Sequence, residues 1–64
     1  MRKIRFTNKE TGTTKDVISG NVGENVFVVT QNVKETNDAI RWLNGKKVGE
    51  VYDHEKFKLE IIEV

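Results

Sequence analysis

Lys34-Glu35-Thr36-Asn37-Asp38-Ala39-Ile40-Arg41-Trp42-Leu43-Asn44-Gly45 is the stretch on which the fold turns. Read as a helix, Thr36 or Asn37 caps its start and Glu35 and Asp38 sit near the positive end of the dipole. Ala39, Ile40 and Leu43 then share a face, and Gly45 ends the helix. Read as strand, Ile40-Arg41-Trp42-Leu43 runs into Asn44-Gly45, a type I′ hairpin signal, and Lys46-Lys47-Val48 returns. The helix is the better reading, because its caps and charges agree with one another while the hairpin accounts only for the Asn-Gly pair.

On the C-terminal side, Val48 to Tyr52 and Phe57 to Ile62 flank the polar turn Asp53-His54-Glu55-Lys56 and read as a strand hairpin. Phe57, Leu59 and Ile61 alternate with Lys58 and Glu60, which gives the last strand a core face and a wet face. On the N-terminal side, Val26-Phe27-Val28-Val29-Thr30 is an apolar β-branched run that reads as a central strand buried on both faces, preceded by a turn over Gly20 to Asn25. Further out, residues 2 to 7 alternate Ile4 and Phe6 with Lys3, Arg5 and Thr7. Asn8 to Gly12 supplies a turn, and Thr13 to Ser19 returns with Val17 and Ile18.

These elements predict one α+β domain over residues 1–64, a five-stranded, mainly antiparallel sheet in the order β-β-β-α-β-β with one short helix. An SH3-like small barrel is the alternative. The expected core is Ile4, Phe6, Val17, Val26, Val28, Ile40, Leu43, Val51, Phe57, Leu59 and Ile61.

Composition narrows the functional classes. With 64 residues there is room for one core, and a chain of this size buries only about 60% of the surface its unfolded form exposes. The chain has no Cys and one His, so neither a disulfide nor the usual zinc-ligand sets can hold it, and no metal or cofactor is inferred. The 11 basic and 10 acidic residues nearly cancel, so any electrostatic recognition comes from local patches. The N-terminus lacks the apolar stretch of a secretory signal and nothing is long enough to span a membrane, which points to a cytoplasmic protein.

Residues that carry chemistry elsewhere have weak settings here. Asp53-His54-Glu55 puts an imidazole beside carboxylates, but three neighbours in a turn point in different directions. Ser19, the sole serine, has no Gly-x-Ser-x-Gly frame. Gly20-Asn21-Val22-Gly23 has the Gly-x-x-Gly spacing of a phosphate cradle without the helix-opening Lys-Ser/Thr pair. No enzyme is expected from this set. Two binding readings remain. In the leading one, Trp42 with Ile62 and Val64 forms the anchor of a protein interface, to a partner protein or to a second copy. In the rival, Arg2, Lys3, Arg5, Arg41, Lys46 and Lys47 converge as a nucleic-acid-binding patch of a small barrel, with Trp42 or Tyr52 stacking a base.

The opening Met1-Arg2-Lys3-Ile4-Arg5-Phe6, the turn Lys9-Glu10-Thr11 and the segment Val48-Gly49-Glu50-Val51-Tyr52 resemble short bacteriophage and prophage proteins of low-GC Gram-positive hosts, the YopX-like group among them. The middle section typical of that group is absent. The resemblance implies a viral or mobile-element origin, hence the cytoplasm of a bacterial host, and brings no catalytic residue with it.

Overall fold

Alternation of Ile4 and Phe6 with charged neighbours builds the first strand of the computed structural model, which describes residues 2–64. The elements are β1 (Lys3–Asn8), β2 (Thr13–Ile18), a 3-10 turn (Ser19–Asn21), α1 (Val22–Thr30), α2 (Val33–Trp42), β3 (Val51–Asp53) and β4 (Phe57–Glu63). The strands form one antiparallel sheet in the order β2-β1-β4-β3, so the two ends of the chain lie side by side at its centre.

The register sorts the side chains between two faces. Ile4 stands between Val17 and Ile61, Phe6 stands between Lys15 and Leu59, and Tyr52 lies opposite Leu59. This face meets the helices. Lys3, Arg5 and Thr7 point the other way with Asp16, Lys58 and Glu60, and among the described residues no element covers that side. Ile4, Phe6, Phe57, Leu59 and Ile61 from the sheet close with Val22, Val26 and Val29 of α1 and Ala39 and Leu43 of α2 into one apolar cluster. Val17, Trp42 and Tyr52 pack at its margin.

The expected third strand is helix α1. Val22, Val26 and Val29 recur at spacings of four and three and are the residues buried, whereas a strand would have buried Val26 and Val28 together. The expected turn over Gly20 to Asn25 is accordingly a single 3-10 turn that feeds the first helical turn. Gln31, at φ 53°, ends α1 in the left-handed conformation and returns its N–H to the Phe27 carbonyl at 2.8 Å.

Two residues later α2 begins. Its cap is Asn32, whose side chain accepts from the Glu35 N–H at 3.0 Å, so the helix starts earlier than a Thr36 or Asn37 cap would place it. Thr36 instead lies inside, where its hydroxyl donates to the Asn32 carbonyl at 2.8 Å and meets the Thr30 hydroxyl at 3.0 Å. That arrangement satisfies the buried polar atoms at the bend between the helices.

Among the described residues there are thus four strands and two helices, in an open sheet rather than a five-stranded sheet or an SH3-like barrel. The hairpin reading of Ile40 to Val48 does not form. After Trp42 the chain turns through Gly45, at φ 72°, and the expected strand from Val48 is reduced to Val51–Asp53. Of the expected core, Val28, Ile40 and Val51 are exposed and Val17 is half-buried, while Val22, Val29 and Ala39 take interior places. No helix among the described residues is long and apolar enough to cross a membrane.

Candidate interaction surface

The two-residue link at Gln31 and Asn32 folds α1 and α2 into an antiparallel hairpin. Gly23, near the start of α1, lies against Ile40, near the end of α2; a Cβ built on Gly23 would stand 2.9 Å from the Ile40 Cδ1. The missing side chain leaves room for the end of the Ile40 side chain at this point. Phe27 is one turn beyond Gly23, and Val33 is two turns before Ile40 on the same side of α2.

Along this seam and on the adjoining outer face of α1, where Val28 stands, the hairpin exposes apolar side chains to solvent: Phe27 is 40% exposed, Val28 69%, Val33 65% and Ile40 41%. Helix α1 contains one charged residue, Glu24, in nine. A surface helix ordinarily sets a polar face opposite its buried stripe, and α1 does not. Glu24 shares the exposed face of α1 with Phe27 and Val28, three and four residues on. Glu24 makes no ion pair among the described residues, and Asp38 holds Lys34 and Arg41 loosely at 3.6 and 3.5 Å.

The residues expected to bind protein are divided. Trp42 is half-buried on the helix side of the sheet, its ring 5.3 Å from that of Tyr52, with the Lys46 ammonium 5.7 Å from the indole centroid. Tyr52 continues the aromatic row to Phe57 at 5.8 Å and Phe57 to Phe6 at 6.3 Å, so Trp42 caps the core. Ile62 alternates with the buried Ile61 and therefore lies on the opposite face of the sheet, half-buried. Val64 follows it, exposed.

The basic residues are divided too. Arg2 reaches the loop after α2 and donates to the Lys46 carbonyl at 2.7 Å, while the Lys46 ammonium lies over the Trp42 ring, with Lys47 next along the chain. The Lys47 N–H is occupied by the Glu50 carboxylate at 2.7 Å. Lys3 and Arg5 belong to the uncovered sheet face, where Lys3 is in register with Glu63. Arg5 donates to Asp16 at 3.0 Å, a hydrogen bond and charge that raise the guanidinium pKa further above its ordinary value. Arg41 sits on α2 beside Asp38.

His54 is structural in its contacts. Its ring stacks 4.5 Å from Phe57, its Nδ1 accepts the Lys56 N–H at 3.0 Å, and its Nε2 lies 3.3 Å from a Glu35 carboxylate oxygen. With Nδ1 accepting, the proton resides on Nε2 and is donated to Glu35, tying the β3–β4 turn to the first turn of α2. At the same end of the sheet, Lys9 donates to Asp53. That hydrogen bond, with the lysine charge behind it, holds the Asp53 carboxyl below its usual range.

The described residues enclose no pocket and bring no three metal-ligating side chains together. No protein-family profile, curated protein or solved structure matches this chain. The seam residues were hidden from sequence reading because Val26 to Thr30 passes for a strand. The signal that exposes them is the spacing of Val22, Val26 and Val29, which leaves Phe27 and Val28 off the buried stripe.

Proposed function

We propose that this chain is a small, non-enzymatic interaction module that presents the seam of its helical hairpin to a protein surface. In this reading it is encoded by a phage or mobile element and works in the cytoplasm of the bacterial host, binding a host protein or a second copy of itself. One observation carries the reading: α1 is a surface helix with a single charge in nine residues and with Phe27 and Val28 exposed. The largest exposed apolar patch of a small protein is often where it meets a partner. The likeness of residues 1–6, 9–11 and 48–52 to short phage proteins supports the origin.

A photo-cross-linking amino acid placed at Val28, and in a second variant at Lys58 on the uncovered sheet face, tests this inside host cells. Adducts from position 28 and none from position 58 are expected. Equal adducts from both, or none from 28, would remove the seam as the binding surface.

A second reading, nucleic-acid binding, draws on the convergence of Arg2 and Lys46 beside Trp42, with Lys47 adjoining. Fluorescence anisotropy with single- and double-stranded oligonucleotides across a salt series decides it. Binding that weakens steeply with salt and is lost on Lys46→Ala supports this reading, and no binding even at low salt ends it.

A further inference from the structure

Resting on the reading of the seam as a binding surface, we propose that its occupant is a second copy of this chain. The two hairpins would pack seam to seam about a two-fold axis parallel to the helices, forming an antiparallel four-helix layer between two sheets. The level of the charges along the hairpin argues for this axis. Gly23 meets Ile40 on antiparallel helices, so Glu24 and Arg41, one residue further along each, stand within about 3 Å of the same height at about 1.5 Å of rise per residue, a difference their long side chains span. An axis parallel to the helices preserves height and lays α1 of one copy antiparallel on α2 of the other. Glu24 of each copy then faces Arg41 of the other, twice per dimer, while Phe27, Val28, Val33 and Ile40 close between them. Both charges are available: Glu24 has no ion pair among the described residues, and Arg41 is held only by the 3.5 Å contact with Asp38. An axis perpendicular to the helices would instead stack α1 on α1 and set Glu24 against the uncharged end at Gln31.

The other route to self-association is guarded. Edge strand β2 presents an unpaired side six residues long. When two identical strands join antiparallel in one continuous sheet, a residue can face only residues that point to the same side. A register centred on Lys15 therefore opposes the two Lys15 side chains, and one centred on Asp16 opposes the two Asp16 side chains. Lys15 also stands on the helix side of the sheet, across from Phe6, where charge on an edge strand discourages pairing. The opposite edge, β3, is three residues long.

The size of the surface points to a weak, transient association. Helices of nine and ten residues offer a face about 15 Å long, less than the roughly 800 Å² per partner of a standard stable interface. The dimer should accordingly be a weak one, with a Kd on the order of 100 μM.

Sedimentation equilibrium of the full chain from about 10 μM to about 1 mM tests the proposal over that range. The weight-average mass should climb from monomer towards dimer. Arg41→Glu, which opposes two carboxylates twice, should weaken association by at least about tenfold, and Glu24→Arg should do the same. The double reversal Glu24→Arg/Arg41→Glu should restore it. Circular dichroism of each variant confirms the fold, which these exposed positions leave intact. A protein that stays monomeric to 1 mM overturns the second-copy occupant. A dimer indifferent to Arg41→Glu, or not restored by the double reversal, overturns the geometry. A monomer that still gives adducts from position 28 in cells keeps the seam as a binding surface and replaces its occupant.

Discussion

Val26 and Val28 are two residues apart in one apolar run, and the fold gives them opposite fates. Val26 is fully buried between α1 and the sheet, and Val28 is on the outside of the same helix. Replacing Val26 by Ala removes two methyl groups, about 1.6 kcal/mol at about 0.8 kcal/mol each. Incomplete collapse around the site adds about 0.5–1 kcal/mol, and the better helix propensity of Ala returns about 0.5 kcal/mol. The net loss is about 2 kcal/mol, a large share of what a domain of this length holds. In a 64-residue chain that loss lowers the melting temperature by about 8–15 °C. Val28→Ala sacrifices little buried surface and gains the same propensity, so its melting temperature should be unchanged or a few degrees higher. Thermal and urea unfolding followed by far-ultraviolet circular dichroism, at low micromolar protein to keep association out of the comparison, measures both. If residues 26 to 30 formed a strand, the two valines would share a face. Equal losses, or a larger loss at Val28, would therefore refute the helical account of α1.

Three further outcomes follow from local geometry. Asn32→Ala removes the acceptor for the Glu35 N–H and should cost about 1 kcal/mol in urea unfolding; no loss would mean that the cap is not made. Gly23→Ala should raise stability by up to about 1 kcal/mol, because the atom the new methyl meets is the tip of a half-exposed Ile40 side chain that can turn aside. A clear loss instead would show Ile40 locked in place. The Asp53 carboxyl, depressed in the folded state by Lys9, contributes stability that is present above the unfolded value of about 3.9 and is lost as pH falls through the lower folded value. Carboxyl carbon shifts followed by NMR should show the Asp53 midpoint below that value in the wild type and moving up towards it in Lys9→Ala; identical midpoints would show that the pair does not form in solution.

The sheet was legible in the sequence wherever one face is dry and the other wet. Ile4 and Phe6, and Phe57, Leu59 and Ile61, alternate with charged residues, and all five are buried. Helix α2 was legible from its charges and from Ala39 and Leu43, although its true cap, Asn32, lies outside the stretch that looks helical. Helix α1 was not legible. A run of valines and phenylalanine favours strand by local preference, and only packing against β1 and α2 selects the helical spacing of Val22, Val26 and Val29. The break after it also lacks its usual marker, since Gln31 occupies the left-handed position that Gly or Asn commonly fills. The seam depends on both helices at once. Ile40 looked like a core residue on one helix alone, and it borders the candidate surface because Gly23 of the other helix stands beside it.

Chemical-shift mapping tests most directly whether that seam is where this protein associates. Amide spectra recorded on dilution from millimolar to low micromolar concentration should shift along residues 23–31 and 33–41, with β2 and β3 unmoved. Shifts confined to the sheet edges, or spectra that do not change with concentration, would contradict the account.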